Sequence, residues 1–233
     1  MALVVVARKP IAVRRSLTDN VPDPMPGTDT SHPEREISLL ATIKNHALLL
    51  FGMLGIMWIV VILDQLPYLH LERHGIQPRS AVGLLGIVFA PFLHAGFNHV
   101  MVNSVPFLVL GGAILSGGAR VFWKVTLFVA LAGGLGVWLC AGKFTNHIGA
   151  SGLIFGYLGF LLARGFFERS LPWMAVAVVA LIVYGGVLIG ILPRHAGVSW
   201  QGHLFGFLAG IGAARMMFPG ASALLRGNTQ DPA

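Results

Sequence analysis

Six apolar stretches, near residues 46–64, 97–117, 121–141, 151–167, 171–192 and 200–218, dominate this chain of 233 residues. Each is long enough, or nearly so, to cross a bilayer core that takes about 20 helical residues. Backbone N–H and C=O groups in that core have no water to bond, so each span must satisfy its own as a helix. The expected fold is therefore an all-α polytopic membrane protein, a bundle of six transmembrane helices bathed in lipid. Composition agrees: 55% of residues are hydrophobic and 11% charged, where soluble domains carry about 25% charged residues. The formal net charge of +7 does not point to nucleic acid, because the basic residues lie in the gaps between apolar runs and not on one face. The single cysteine, Cys140, rules out an intramolecular disulfide framework and a Cys-cluster metal site. Leu3–Ala7 is too short for a cleaved signal and precedes the basic residues, the reverse of a signal's order.

Three regions follow. Residues 1–45 are polar and proline-containing (Pro22, Pro24, Pro26, Pro33) and are expected to be a disordered arm; 46–218 form the membrane core; 219–233 form a tail. The mixed stretch 65–96 reads as a loop with short interfacial helices, and Trp123, Trp138, Trp173 and Trp200 fall near the ends of blocks. Twelve basic residues, among them Arg120, Lys124, Arg164, Arg169 and Arg215, lie on the side of the arm and tail; Arg73, Arg79, Lys143 and Arg194 lie opposite. This asymmetry puts both termini in the cytoplasm, so the second, fourth and sixth spans begin at the outer face. The compact plan suggests a bacterial plasma membrane.

The polar residues inside the core are few and gathered. Between Arg73 and Gln230 the one carboxylate is Glu168, which leaves nothing for an acid relay or a carboxylate-bound metal. His94, His99, His147 and His203 instead all fall near the starts of spans two, four and six, and ionisable groups at membrane depth are functional candidates. His147 reads as a solvated loop residue. His99 and Asn103, four apart, share a helix face. Gly152 with Gly156, and Gly206 with Gly210, make small-residue ridges on which the fourth and sixth helices would pair. Ser151 and His203 lie at the outer ends of those ridges, in reach of the hydrogen bond that a nucleophile and its general base require. The fourth span is short: Ser151 to Phe167 covers about 25 Å of a core of about 30 Å. Its N-terminus is thus expected below the outer surface, behind the polar stretch 143–147, with free N–H groups facing a wet depression.

His94-x-Gly96-x-x-His99-x-x-x-Asn103, then Gly149-Ala150-Ser151-Gly152, then Gly202-His203-x-x-Gly206-x-x-x-Gly210, in that order on spans two, four and six, resemble the rhomboid intramembrane serine proteases. The resemblance implies Ser151 as nucleophile and His203 as general base and later acid. It implies Asn103 and His99 as donors to an oxyanion, together with the Ser151 N–H. His94 would organise the first loop, Phe155 would pack on the catalytic imidazole, and Gly149, Gly152, Gly206 and Gly210 would be packing glycines. The implied substrates are single-pass transmembrane proteins cut near the outer leaflet; no metal or organic cofactor is implied. The chain departs from some relatives in the first loop, where Gly86-Ile87-Val88-Phe89-Ala90-Pro91 stands in place of a Trp-Arg pair.

Other classes fit less well. An inactive rhomboid-like protein that binds transmembrane clients would usually lack the serine or the histidine. A haem cytochrome needs facing histidine pairs across helices, and a transporter needs broken midplane helices or inverted repeats; the sequence has neither pattern.

Overall fold

Runs rich in Leu, Ile, Val and Phe, with few charges among them, become helix at each of the six apolar blocks. The computed structural model describes residues 31–193 and 197–219; the arm up to residue 30, Arg194 and the tail beyond 219 lie outside them. The helices are α1 (Ser31–Asp64), α2 (Ala81–Phe89), α3 (Phe97–Leu115), α4 (Ala119–Phe128), α5 (Gly134–Cys140), α6 (Ser151–Glu168), α7 (Leu171–Tyr184) and α8 (Trp200–Met217). A π-helical turn, Val129–Gly133, makes α4 and α5 one continuous rod, and a 3-10 segment, Gly185–Ile191, extends α7. Among the described residues there is no strand; one antiparallel bridge pairs Ile76 with His147. Among the described residues, four helical segments are long and apolar enough to cross a membrane: Ser38–Asp64, Phe97–Leu115, Ala119–Cys140 and Leu171–Ile191.

Helix begins earlier than the expected start of the first span at residue 46. It starts at Ser31, within the stretch expected to be a disordered arm. Pro33 is tolerated there because an N–H in the first turn has no intrahelical partner to lose. Among the described residues, those up to Ala41 and those from Thr42 onward form separate contact units, and the packing below belongs to the second.

The two longest helices that fall outside the four apolar segments, α6 and α8, pack against each other more extensively than any other pair. Surrounded by protein, they have less need of a lipid-facing apolar surface. Their seam is glycine on backbone: a Cβ added at Gly206 would collide with the carbonyl of Gly152, and one at Gly210 with that of Gly156. Around the seam Phe107, Phe122, Tyr157 and Phe160 fill the core. The buried Tyr157 hydroxyl is satisfied by Thr126 Oγ1 at 2.8 Å. At the far end of α6, Arg164 is buried, paired with Glu168 and laid 3.4 Å from the centroid of the Trp173 ring.

The 65–96 stretch carries the expected short helices and is tied to α5. Arg79 donates to the carbonyls of Leu139 (2.8 Å) and Ala141 (2.7 Å), and Trp138 Nε1 donates to Ser80 O at 2.9 Å. Carbonyls at the end of α5 without helical partners are thus bonded by a guanidinium. The first loop is thereby fastened to the end of α5.

Candidate active site

Ser151 is the first residue of α6 and His203 lies in the first turn of α8. The seam brings their side chains together: His203 Nε2 is 3.0 Å from Ser151 Oγ. The other imidazole nitrogen, Nδ1, lies 2.9 Å from the carbonyl oxygen of Gly190. A carbonyl only accepts, so Nδ1 carries the proton, and Nε2 presents its lone pair to the serine hydroxyl. The ring is held from its face as well: Phe155 stacks on it at 4.1 Å between centroids and 6° between planes.

Gly190 belongs to the 3-10 segment after α7. In such a turn its carbonyl would accept from the N–H of residue 193, but that residue is Pro193, which has none. The oxygen is left free for His203. Glycine at 190 also leaves the room, since a Cβ there would lie 3.0 Å from His203 Nδ1 and 3.1 Å from Phe155 Cζ.

The second-span pair sits on the other side of the serine. His99 Nδ1 accepts the Ala95 N–H at 3.3 Å, which places the ring proton on Nε2 as a free donor. Asn103 is buried and its Nδ2 has no hydrogen-bond partner among the described residues, an arrangement that costs about 1–3 kcal/mol unless something else uses the group. Both donors border Gly149: a Cβ at 149 would lie 2.8 Å from His99 Nε2 and 3.7 Å from Asn103 Nδ2. Gly149 has φ +114°, a conformation side chains resist, so this glycine shapes the turn into α6 as well as making room. Gly152, Gly206 and Gly210 lie on the α6–α8 seam.

His94 is buried against the same turn. Its Nδ1 donates to Phe92 O at 3.3 Å, and Nε2 accepts the Ala150 N–H at 3.2 Å. Burial, reinforced by nearby His99, pushes its pKa down to about 4, so the ring is neutral and pins the residue before Ser151. His147 corrects the sequence reading. It is buried rather than solvated, at 6% exposure, with burial lowering its pKa and both ring nitrogens bonded, to Thr145 Oγ1 (2.8 Å) and Ser199 Oγ (2.6 Å).

These groups line a cleft of about 980 Å³ that includes His99, Asn103, Ser151, Phe155, Gly190 and His203. A second cavity of about 50 Å³, mostly apolar, adjoins Ser151 on the side of the π turn, bounded by Val129, Gly133 and Gly206. Among the described residues no group of three or more His, Cys, Asp or Glu side chains could hold a metal ion. Sequence reasoning missed Gly190, since a backbone oxygen has no residue signature; the clue available was a proline three residues on.

Residues 82–220 match the Rhomboid domain. An uncharacterized protein of Mycobacterium tuberculosis is 44% identical over 171 residues, covering 70% of this chain and 71% of its own. YdcA of Bacillus subtilis, assigned by name to the rhomboid proteases, is 30% identical over 122 residues, 51% of this chain and 59% of its own. Rhomboid-type serine protease 2 of Emericella nidulans is 27% identical over 142 residues, 57% of this chain and 27% of its own.

Proposed function

Because this chain belongs to the rhomboid family of integral membrane proteases, we propose that it is a serine endopeptidase cutting single-pass transmembrane proteins within the bilayer. On this reading six helices cross the membrane, both termini face the cytoplasm and the cleft opens outward, as the basic-residue asymmetry supports. The observation that carries it is the Ser151 Oγ–His203 Nε2 contact of 3.0 Å, with the Nδ1 proton committed to Gly190 O.

The geometry supports the following chemistry. A substrate carbonyl carbon placed over Ser151 is attacked by Oγ as His203 Nε2 takes the hydroxyl proton. The imidazolium that forms keeps its Nδ1–H on the Gly190 carbonyl, whose dipole stabilises it where other serine proteases use an aspartate. The oxyanion receives His99 Nε2–H, Asn103 Nδ2–H and the Ser151 backbone N–H, donors already in place and needing no reorganisation. His203 then protonates the leaving amine, the acyl-enzyme forms, and water activated by the same nitrogen releases the second product. Unwinding of the substrate helix must precede attack, because a helical carbonyl is engaged by the N–H four residues further on.

The direct test is gel-based cleavage of a single-pass transmembrane substrate in liposomes, with wild type beside Ser151→Ala and His203→Ala. Wild type gives product, and each variant loses roughly a millionfold in turnover while staying folded. Undiminished turnover by either variant refutes the assignment.

A further inference from the structure

Two side-chain rungs join the entry into α6, residues 147–151, to the start of α8, and Ser151–His203 is one of them. The other lies four residues earlier on each side, where His147 Nδ1 is 2.6 Å from Ser199 Oγ. His147 is four residues before Ser151 and Ser199 four before His203. The rungs therefore link the same two segments, with serine and histidine exchanged between them.

Hydrogen-bond accounting fixes the direction of this rung. Thr145 Oγ1 donates to Gly142 O at 2.7 Å, so toward His147 it accepts, and His147 Nε2 carries the proton that reaches it at 2.8 Å. Nδ1 is left with its lone pair and takes the Ser199 hydroxyl. Ser199 Oγ in turn accepts the Gly202 N–H at 3.1 Å as the N-cap of α8, while Ser199 O accepts the N–H of His203 itself at 3.1 Å. The His147 main chain exchanges both its hydrogen bonds with Ile76, so the rung is anchored to the first loop.

A glycine seam brings two helices close but gives them little to interlock along their length. A dyad needs registration to a few tenths of an ångström, which a polar rung at the helix starts supplies. We propose that His147 and Ser199 are positioning residues that set the spacing between the starts of α6 and α8, and through it the Ser151 Oγ–His203 Nε2 distance. This rests on the reading of Ser151 and His203 as the catalytic pair.

The test compares wild type, His147→Leu, His147→Asn, Ser199→Ala and the His147→Leu/Ser199→Ala double variant in liposomes. The readouts are kcat and KM for a single-pass transmembrane substrate, the rate at which a fluorophosphonate labels Ser151, and thermal stability. Displacing the dyad lowers kcat by about ten- to a hundredfold in His147→Leu and in Ser199→Ala, with KM within about twofold of wild type. His147→Asn, whose Oδ1 can stand where Nδ1 stood, recovers most of the loss, and the double variant falls no further than the worse single one. Wild-type kcat in His147→Leu, an asparagine no better than leucine, or losses that multiply in the double variant overturns the proposal. If His147→Leu does not fold, Ser199→Ala and His147→Asn decide it by the same criteria. Wild type that neither cleaves nor labels at Ser151 removes the dyad reading, whereas equal labelling of Ser151 in all variants removes the rung alone.

Discussion

The α6–α8 seam and α7 are built to opposite specifications. Along α6, buried residues run through the helix, including Gly156, Gly159, Arg164 and Gly165. Along Leu171–Ile191, 6% of the apolar window is buried, and Val178, Ile182 and Val183 face outward. The first surface excludes an added Cβ at Gly159, Gly206 and Gly210; the second is a lipid-facing coat in which one aliphatic residue serves as well as another. Yet the 3-10 segment that follows α7 holds Gly190, whose carbonyl bonds the His203 imidazole. Precision in this molecule is thus local, concentrated where four segments meet at Ser151, and the loosest helix contributes one atom to it.

The widest predicted gap between the two regions comes from packing. Gly210→Leu drives a side chain into the carbonyl of Gly156 and lowers stability by about 3 kcal/mol or more. Ile182→Ala on α7 stays within about 0.5 kcal/mol of wild type. Unfolding in detergent reads both, and similar losses would erase the contrast. Within the site, Asn103→Ala removes one proposed oxyanion donor and is expected to lower kcat by about 10²–10³, as steady-state cleavage reports; a full-speed variant takes Asn103 out of that role. In the 3-10 segment after α7, Gly190→Ala pushes a methyl against His203 and Phe155 and slows cleavage by about tenfold. Histidine ¹⁵N spectra then show His203 losing its Nδ1–H tautomer, and an unchanged tautomer would separate Gly190 from the dyad.

The mildest effect is in pH. His94, lowered to about 4 in the fold, has an ordinary value near 6.5 when unfolded. Between those values the unfolded chain binds the extra proton, so stability is full above about 6.5 and declines as pH falls toward 4. His94→Gln, which does not titrate, shows a shallower decline in melting temperature; an identical slope would place the acid sensitivity elsewhere.

Much of this was legible in the sequence because it rests on side-chain identity and spacing. Apolar length located the helices, and small residues four apart located the seam. The His-x-x-x-Asn, Gly-Ala-Ser-Gly and Gly-His groups marked the residues that the fold brings together. The helix start at Ser31 was hidden by polar, proline-containing surroundings. The His147–Ser199 rung was hidden because a histidine in a polar loop and a serine at a helix cap each have a simpler explanation alone. Gly190 was hidden because its contribution is a main-chain oxygen released by Pro193. In each case the missing information was which segments lie side by side, and periodicity does not encode that.

The central claim is that Ser151 is a nucleophile activated by His203, and covalent trapping tests it most directly. The reconstituted protein is treated with a fluorophosphonate and the adduct located by peptide mass spectrometry, with His203→Ala alongside. The account predicts a single adduct on Ser151 in wild type, lost in the variant. An adduct on another serine, or equal labelling of Ser151 without His203, would contradict it.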